Sequence, residues 1–382
     1  MKLILIQPYV SLRGGFERVM LKIAQHYGAP IYTLEYKPNS TFPEFGETEV
    51  KVIGKDLPLA DALPYRAAQG LKYGYNFYNL KIKEDYDVLN PHISPSEWIR
   101  HKNPGVLWYC HTPPREVYDL YEARMKYRSY KEKFLYSAMT KTYKLISGRV
   151  IKRIEGIATN STNTKNRIKK YFGAGSTVIN PGIEYGNFSN KGDGKYFLYP
   201  SRITNTKRQD YVINAFKKFE KGEKKHKLII AGTLSPDPEH QAYYEKLVKM
   251  ASGSNIEIIK NITDKKLSSL YANSTAVLFA AINEDYGFVP LEAMASSKPV
   301  ISVNEGGPTE TILEGKTGFL VNSPEEMAER MAYLSEHPSD AEAIGKKGRR
   351  RVEENYSWKS FFKKFDKALE STIKKKDEQT TE

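Results

Sequence analysis

The chain has 382 residues, 40% of them hydrophobic, and carries 59 Lys and Arg against 45 Asp and Glu, a formal net charge of +14. That length exceeds one ordinary core and suits two domains of fewer than about 200 residues each, and a charge excess of that sign points to an acidic partner: nucleic acid, anionic lipid or a phosphorylated substrate. Its single cysteine, Cys110, excludes an internal disulfide and fits a reducing, cytoplasmic setting, while no apolar run is long enough for a signal peptide or a membrane span.

Residues 3–6 form a β-type apolar run that leads through Pro8 and Ser11 to Gly14-Gly15 and then to a helical pattern over 16–26. Glycines between a strand and a helix either let the backbone approach a ligand closely or simply make the turn, and their spacing is not the Gly-x-Gly-x-x-Gly dinucleotide pattern. Further buried strands are predicted at 106–109, 156–159 and 178–179. The first of these ends at His111, in the run Tyr109-Cys110-His111-Thr112-Pro113-Pro114-Arg115. A histidine at a strand's carboxyl end before a rigid Pro-Pro loop reads as a ligand contact or as a satisfied loop histidine. A metal role is not expected, because no other histidine lies at ligand spacing. His92 and His101 lack such a setting and read as structural. Residues 121–153 hold ten Lys and Arg against two Glu, with six interleaved aromatics. The pattern suits either an anionic membrane surface or an ordinary solvated face.

The segment 180–194, with Pro181 and four glycines, reads as a linker. Beyond it the strand–loop–helix layout starts again. A strand at 196–199 is followed by a helix at 209–219, with further strands at 228–231, 256–259, 276–279 and 300–303. Short buried strands alternating with helices imply parallel sheets with right-handed crossovers. Arg202 and Lys207 fall between the first of these strands and its helix, a place for a diphosphate or for two solvated loop charges. Arg208 reads as surface. The most informative run is Glu284-Asp285-Tyr286-Gly287-Phe288-Val289-Pro290-Leu291-Glu292, just after the strand at 276–279. Pro290 suits the first turn of a helix, so both glutamates lie beyond a strand's carboxyl end, where open α/β sheets bind ligands. Glu292 can accept from a ribose diol. Glu284 can bond a sugar hydroxyl or stabilise positive charge developing at an anomeric carbon. Backbone N–H groups at Gly287, Phe288 and Val289 suit sugar hydroxyls or phosphate. Gly306-Gly307-Pro308 makes a further glycine turn, with a cap or a ligand role. Aromatics at 356, 358, 361, 362 and 365 form a helical stripe, and 374–382 reads as a solvated tail.

Together these runs resemble the family 4 (group 1) glycosyltransferases, with Glu284 and Glu292 matching the paired glutamates, Gly306-Gly307-Pro308 the following turn, Arg202 and Lys207 the diphosphate-binding pair, and Gly14-Gly15 the N-terminal loop. The run from Tyr109 to Pro113 is similar to a mannosyltransferase subgroup that makes lipid-linked or surface polysaccharide. The resemblance implies the GT-B architecture: a Rossmann-like acceptor domain at 1–182, a Rossmann-like donor domain at 195–355 facing it across a cleft, and a C-terminal helix at about 356–382 returning to the first. It also implies retaining, metal-independent transfer of a hexose, mannose from GDP-mannose favoured and UDP-sugars the alternative, onto a glycan or lipid-linked acceptor, with no cofactor. His111 and Glu284 would meet the donor sugar, Arg202 and Lys207 the diphosphate, and Glu292 the ribose. The stretch 121–153 would meet the cytoplasmic face of a membrane. Phe16 stands where many relatives carry a small residue. The rival reading of the charge, a nucleic-acid-binding protein, lacks any recognition-helix, zinc or RNA-sheet motif.

Overall fold

The computed structural model describes residues 1–57, 65–126, 128–223 and 225–381. The chain divides into two units, Met1–Asn180 with Phe362–Glu382, and Pro181–Phe361.

The first unit carries a parallel four-stranded sheet in the order Val50–Val52, Ile31–Tyr36, Leu3–Val10, Val88–Pro91. A parallel three-stranded sheet, Leu107–Cys110, Gly156–Thr159, Thr177–Val178, continues from it through a bridge between Leu89 and Val106. The strands at Ile31–Tyr36, Val50–Val52 and Val88–Pro91 were not expected from the sequence. The last is short and ends in Asn90 and Pro91, and proline cannot donate to a ladder, so its apolar signal is only Val88-Leu89.

The second unit is one parallel six-stranded sheet in the order Ile256–Lys260, Lys227–Gly232, Tyr196–Pro200, Ala276–Phe279, Val300–Val303, Gly318–Val321. Counted along the chain this is 3-2-1-4-5-6, the doubly wound order, whose direction reverses between the first and fourth strands. Successive strand residues point to opposite faces, and here both faces are covered. Phe197, Leu228 and Leu278 join one buried cluster; their neighbours Leu198, Ile229 and Val277 join another. This double burial explains why these strands read as unbroken apolar runs.

The sequence reading needs correction in two places. The stretch read as a linker is packed onto the second unit: Ile183 is buried in its core beside the half-buried Tyr185 and Phe188, and the Lys191 and Gly194 N–H groups donate to Ala272 and Asn273. Three apolar side chains spread among polar residues give no periodic signal. The segment read as a tail is helical, part of Trp358–Thr381. Its lysines cap carbonyls of the first unit, Lys375 at Glu155 and Lys376 at Tyr86 and Asp87. The aromatic stripe divides. Tyr356 belongs to the core of the second unit, whereas Phe362 stacks on His26 at 3.7 Å and Phe365 is fully buried in the first. Among the described residues no helix is long and apolar enough to cross a membrane.

Candidate functional site

In the second unit the reversal of strand order sets the loops after Tyr196–Pro200 and Ala276–Phe279 side by side, because those two strands are paired. The first loop winds into a short 3-10 turn, Asn205–Lys207, and Arg208 adopts a left-handed backbone (φ 51°) before the helix Gln209–Phe219. The Ile282 N–H donates to the Thr206 carbonyl at 2.9 Å, which ties one loop to the other. Lys207 Nζ donates to Glu284 Oε2 at 2.5 Å, so two residues expected to serve different parts of a ligand already touch. Arg202 is exposed at the strand end, and its carbonyl accepts from Gln209.

The position of Glu284 is set by backbone. Its carbonyl accepts from the Gly307 N–H at 2.7 Å. A Cβ at Gly306, where φ is +67°, would lie 2.4 Å from that carbonyl oxygen, and one at Gly307 would lie 2.5 Å from the Tyr286 carbonyl. The glycine turn thus acts as a packing surface for the glutamate loop, a role the sequence reading did not weigh. Gly287, with φ at +86°, turns the chain into the helix Phe288–Ala295, whose N-terminal residues Phe288 and Val289 begin the turn that lacks intrahelical acceptors. Glu292 lies inside that helix, 8% exposed, and accepts from Tyr271 OH at 2.8 Å. Tyr286 OH donates to the Pro181 carbonyl at 2.6 Å.

Two residues of this loop cluster were missed by sequence reasoning. Arg208, read as surface, donates from Nε to the Ala280 carbonyl at 2.6 Å and pairs with Glu305 at 2.9 Å, while the other Glu305 oxygen accepts from the Asn283 N–H. Its adjacency to Lys207 hid it: only the left-handed turn at Arg208 sends neighbouring cations to different partners.

In the first unit Gly14 precedes the helix Gly15–Tyr27 in extended backbone, and a Cβ there would meet only the Glu17 carboxylate, at 2.8 Å. His111 is 2% exposed, with the Phe16 ring centroid 4.7 Å from its own. Its Nε2 lies 2.9 Å from His92 Nδ1, and His92 Nε2 lies 2.9 Å from Asn90 Oδ1. Burial pushes His92 down to about 3 and holds His111 well below the usual histidine range, with the neighbouring His92 adding to the effect. His92 was read as structural, yet it contacts the candidate histidine. The two belong to loops after different strands, Val88–Pro91 and Leu107–Cys110, and only the pairing of those sheets joins them. His101 stacks on Tyr78 at 3.8 Å.

The family described as glycosyl transferases group 1 matches residues 185–351. Alpha-1,3/1,6-mannosyltransferase ALG2 of Mus musculus is 29% identical over 91% of this chain and 91% of its own. Trehalose synthase of Thermococcus litoralis is 32% identical over 38% of this chain and 36% of its own. Among solved structures, Anabaena HepE in complex with UDP-glucose superposes with a TM-score of 0.73 at 15% identity, covering 97% of this chain and all of that one. A sucrose-phosphate synthase from Thermosynechococcus elongatus gives the same TM-score at 18% identity, covering 100% of each chain. These two solved structures share the fold, GT-B. Residues 185–351 match the glycosyl transferases group 1, and this match together with the mannosyltransferase relatives aligned over most of both chains makes the chain a glycosyltransferase.

Proposed function

We propose that the enzyme transfers mannose from a nucleotide-diphosphate mannose, GDP-mannose favoured, to a hydroxyl of a glycan or lipid-linked glycan, with retention at the anomeric carbon. The observation that carries this reading is the Lys207–Glu284 pair at the reversal point of the donor-unit sheet. There a cation suited to a diphosphate adjoins a carboxylate suited to the sugar attached to it. Mannose is favoured by the ALG2 relatives, alpha-1,3/1,6-mannosyltransferases by name, which match over most of both chains. Arg202 forks onto the diphosphate and Lys207 adds a point charge, together stabilising it as it leaves. Glu292 accepts from the ribose, the backbone at Gly287, Phe288 and Val289 meets phosphate or sugar oxygens, and Glu284 holds a sugar hydroxyl. Gly14 and Gly15 let the backbone of the first unit approach the donor, and His111 contacts the sugar. The bond from the anomeric carbon to the diphosphate oxygen breaks, the acceptor oxygen bonds the same face, and its proton passes to the departing phosphate oxygen. No metal and no cofactor takes part.

The acceptor reading includes a membrane. The basic stretch forms the helices Tyr121–Lys126 and Tyr130–Ile151, residue 127 lying outside the described residues. On the longer helix Tyr130, Phe134 and Leu145 are 90%, 76% and 55% exposed and, with Lys141, line one face at helical steps. Lys131 and Lys144 are exposed beside them. Aromatic and leucine side chains flanked by lysines match an anionic lipid interface.

A thermal-shift panel of nucleotide sugars tests the donor. GDP-mannose at 100 times its Kd should stabilise the fold by about 2.7 kcal/mol through mass action. A shift with UDP-sugars alone would replace mannose by the UDP-linked alternative. No shift with any nucleotide sugar would favour a non-catalytic basic protein that binds membrane or nucleic acid.

A further inference from the structure

The three polar side chains Asn90, His92 and His111 form an ordered chain whose proton positions follow from geometry. Asn90 Nδ2 lies 2.5 Å from the Leu107 carbonyl, which accepts only, so the amide is oriented with its nitrogen there and its oxygen toward His92. An amide oxygen cannot donate. His92 Nε2, 2.9 Å away, must therefore carry a hydrogen. His92 is buried, its ring nitrogens facing Asn90 and His111 and, among the described residues, no carboxylate, and an imidazolium there would be an uncompensated interior charge. Its neutral form with hydrogen on Nε2 leaves Nδ1 bare. That bare nitrogen faces His111 Nε2 at 2.9 Å, so His111 Nε2 is the donor. His111 is equally buried and equally neutral, which leaves its Nδ1 as a lone pair.

We propose that Asn90 and His92 are positioning residues that fix His111 as a hydrogen-bond acceptor at Nδ1, so that it takes a hydrogen bond from a substrate hydroxyl and never offers one. The inference deepens the proposed function, since it rests on His111 meeting the sugar. The backbone around the chain is also pinned. The His92 N–H donates to the Ile6 carbonyl at 3.0 Å, and the His111 carbonyl accepts from Asn160 Nδ2 at 2.9 Å. Phe16 lies against the His111 ring, which gives a physical role to the bulky residue at that loop position. The consequence for specificity is definite. A ligand that offers a hydroxyl at His111 is matched, whereas one that offers only an acceptor meets a lone pair and leaves both groups unpaired, which discriminates strongly in a buried site.

The test begins with the unliganded wild type. Two-bond hydrogen–nitrogen correlation spectra of histidine-labelled protein, assigned with single-histidine variants, should show both His92 and His111 with hydrogen on Nε2. Hydrogen on Nδ1 of His111 in the wild-type spectrum would overturn the proposal. The second arm compares His92→Gln with His92→Leu. Glutamine supplies a carbonyl acceptor for the His111 N–H, so the Nε2–H form and most of the turnover should persist. Leucine should let His111 redistribute between tautomers and lower kcat about tenfold or more, with nucleoside diphosphate affinity unchanged. Equal turnover and an unchanged His111 tautomer in the leucine variant would also overturn it. The proposed function fails separately: full transfer activity in His111→Ala removes the histidine from the reaction, whatever tautomer the spectra show.

Discussion

In the second unit the residues at the strand ends are charged and cross-linked: Lys207 with Glu284, Arg208 with Glu305, and the Glu284 carbonyl with the Gly307 N–H. In the first unit they are neutral and buried, Asn90 to His92 to His111, closed over by Phe16. The two devices solve opposite problems. A half-exposed ion pair contributes little stability, so the charged loop needs its backbone fixed independently, and the glycine turn and the loop-to-loop N–H bond supply that. A buried neutral chain keeps its geometry through its own hydrogen bonds, but every member must be satisfied or the interior is left with an orphaned polar group. Charge suits a diphosphate that arrives and leaves. Neutral orientation suits a hydroxyl that has only to be held.

The sharpest way to break this contrast is to remove one residue from each device and from the ribose position. Glu284→Ala should lower single-turnover rate by a factor of about 10²–10³ while leaving nucleoside diphosphate affinity nearly intact, and His111→Ala should follow the same pattern. Glu292→Ala should instead weaken nucleotide binding even with no sugar attached, because its carboxylate sits near the start of the helix beyond the strand end, where it can accept from a ribose. Equal losses of nucleotide affinity at Glu284 and Glu292 would erase the division of roles.

The glycines come next. Gly306→Ala forces a left-handed residue and drives a methyl group to within 2.4 Å of the Glu284 carbonyl oxygen. A loss of at least about 1–3 kcal/mol is expected, read from denaturant midpoints, together with loss of turnover. Gly14→Ala should cost less, since its backbone is extended and only the Glu17 carboxylate must move. Equal destabilisation would mean that the two glycine loops are held alike after all.

Arg202→Ala and Lys207→Ala should each weaken diphosphate binding by roughly 1.5–3 kcal/mol, measured by calorimetry. The lysine variant should also lose turnover beyond its binding defect, because the contact that holds Glu284 Oε2 against Lys207 is removed. If these cations do the electrostatic work, turnover should persist in EDTA, and a complete loss restored by Mg²⁺ would contradict that. The smallest effect per residue belongs to the basic helix. Charge reversal at Lys126, Lys133, Lys141 and Lys144 should reduce binding to anionic vesicles by about 1 kcal/mol for each charge near the surface and leave donor binding unchanged. Failure of the wild type to sediment with such vesicles at moderate salt would reduce the helix to a solvated face.

Much of this molecule was legible in the order of its residues. The strands Gly156–Thr159, Ala276–Phe279 and Val300–Val303 and the helix Gln209–Phe219 occupy the positions read from apolar runs and periodicity. Burial on both faces of a parallel sheet leaves an unbroken apolar signature, and proline and glycine mark where strands turn into helices. Local composition also singled out Glu284 and Lys207, because a loop between a buried strand and a helix start has few uses for charge. What tertiary structure alone decided is which of these groups touch. Lys207 and Glu284 are 77 positions apart, and His92 and His111 lie 19 apart in loops after different strands. Their meeting depends on strand order, which a one-dimensional pattern does not encode. The same reason hid the role of Arg208, whose direction is set by one left-handed residue, and that of 374–382, whose lysines gain meaning only when the last helix lies against the carbonyls they cap.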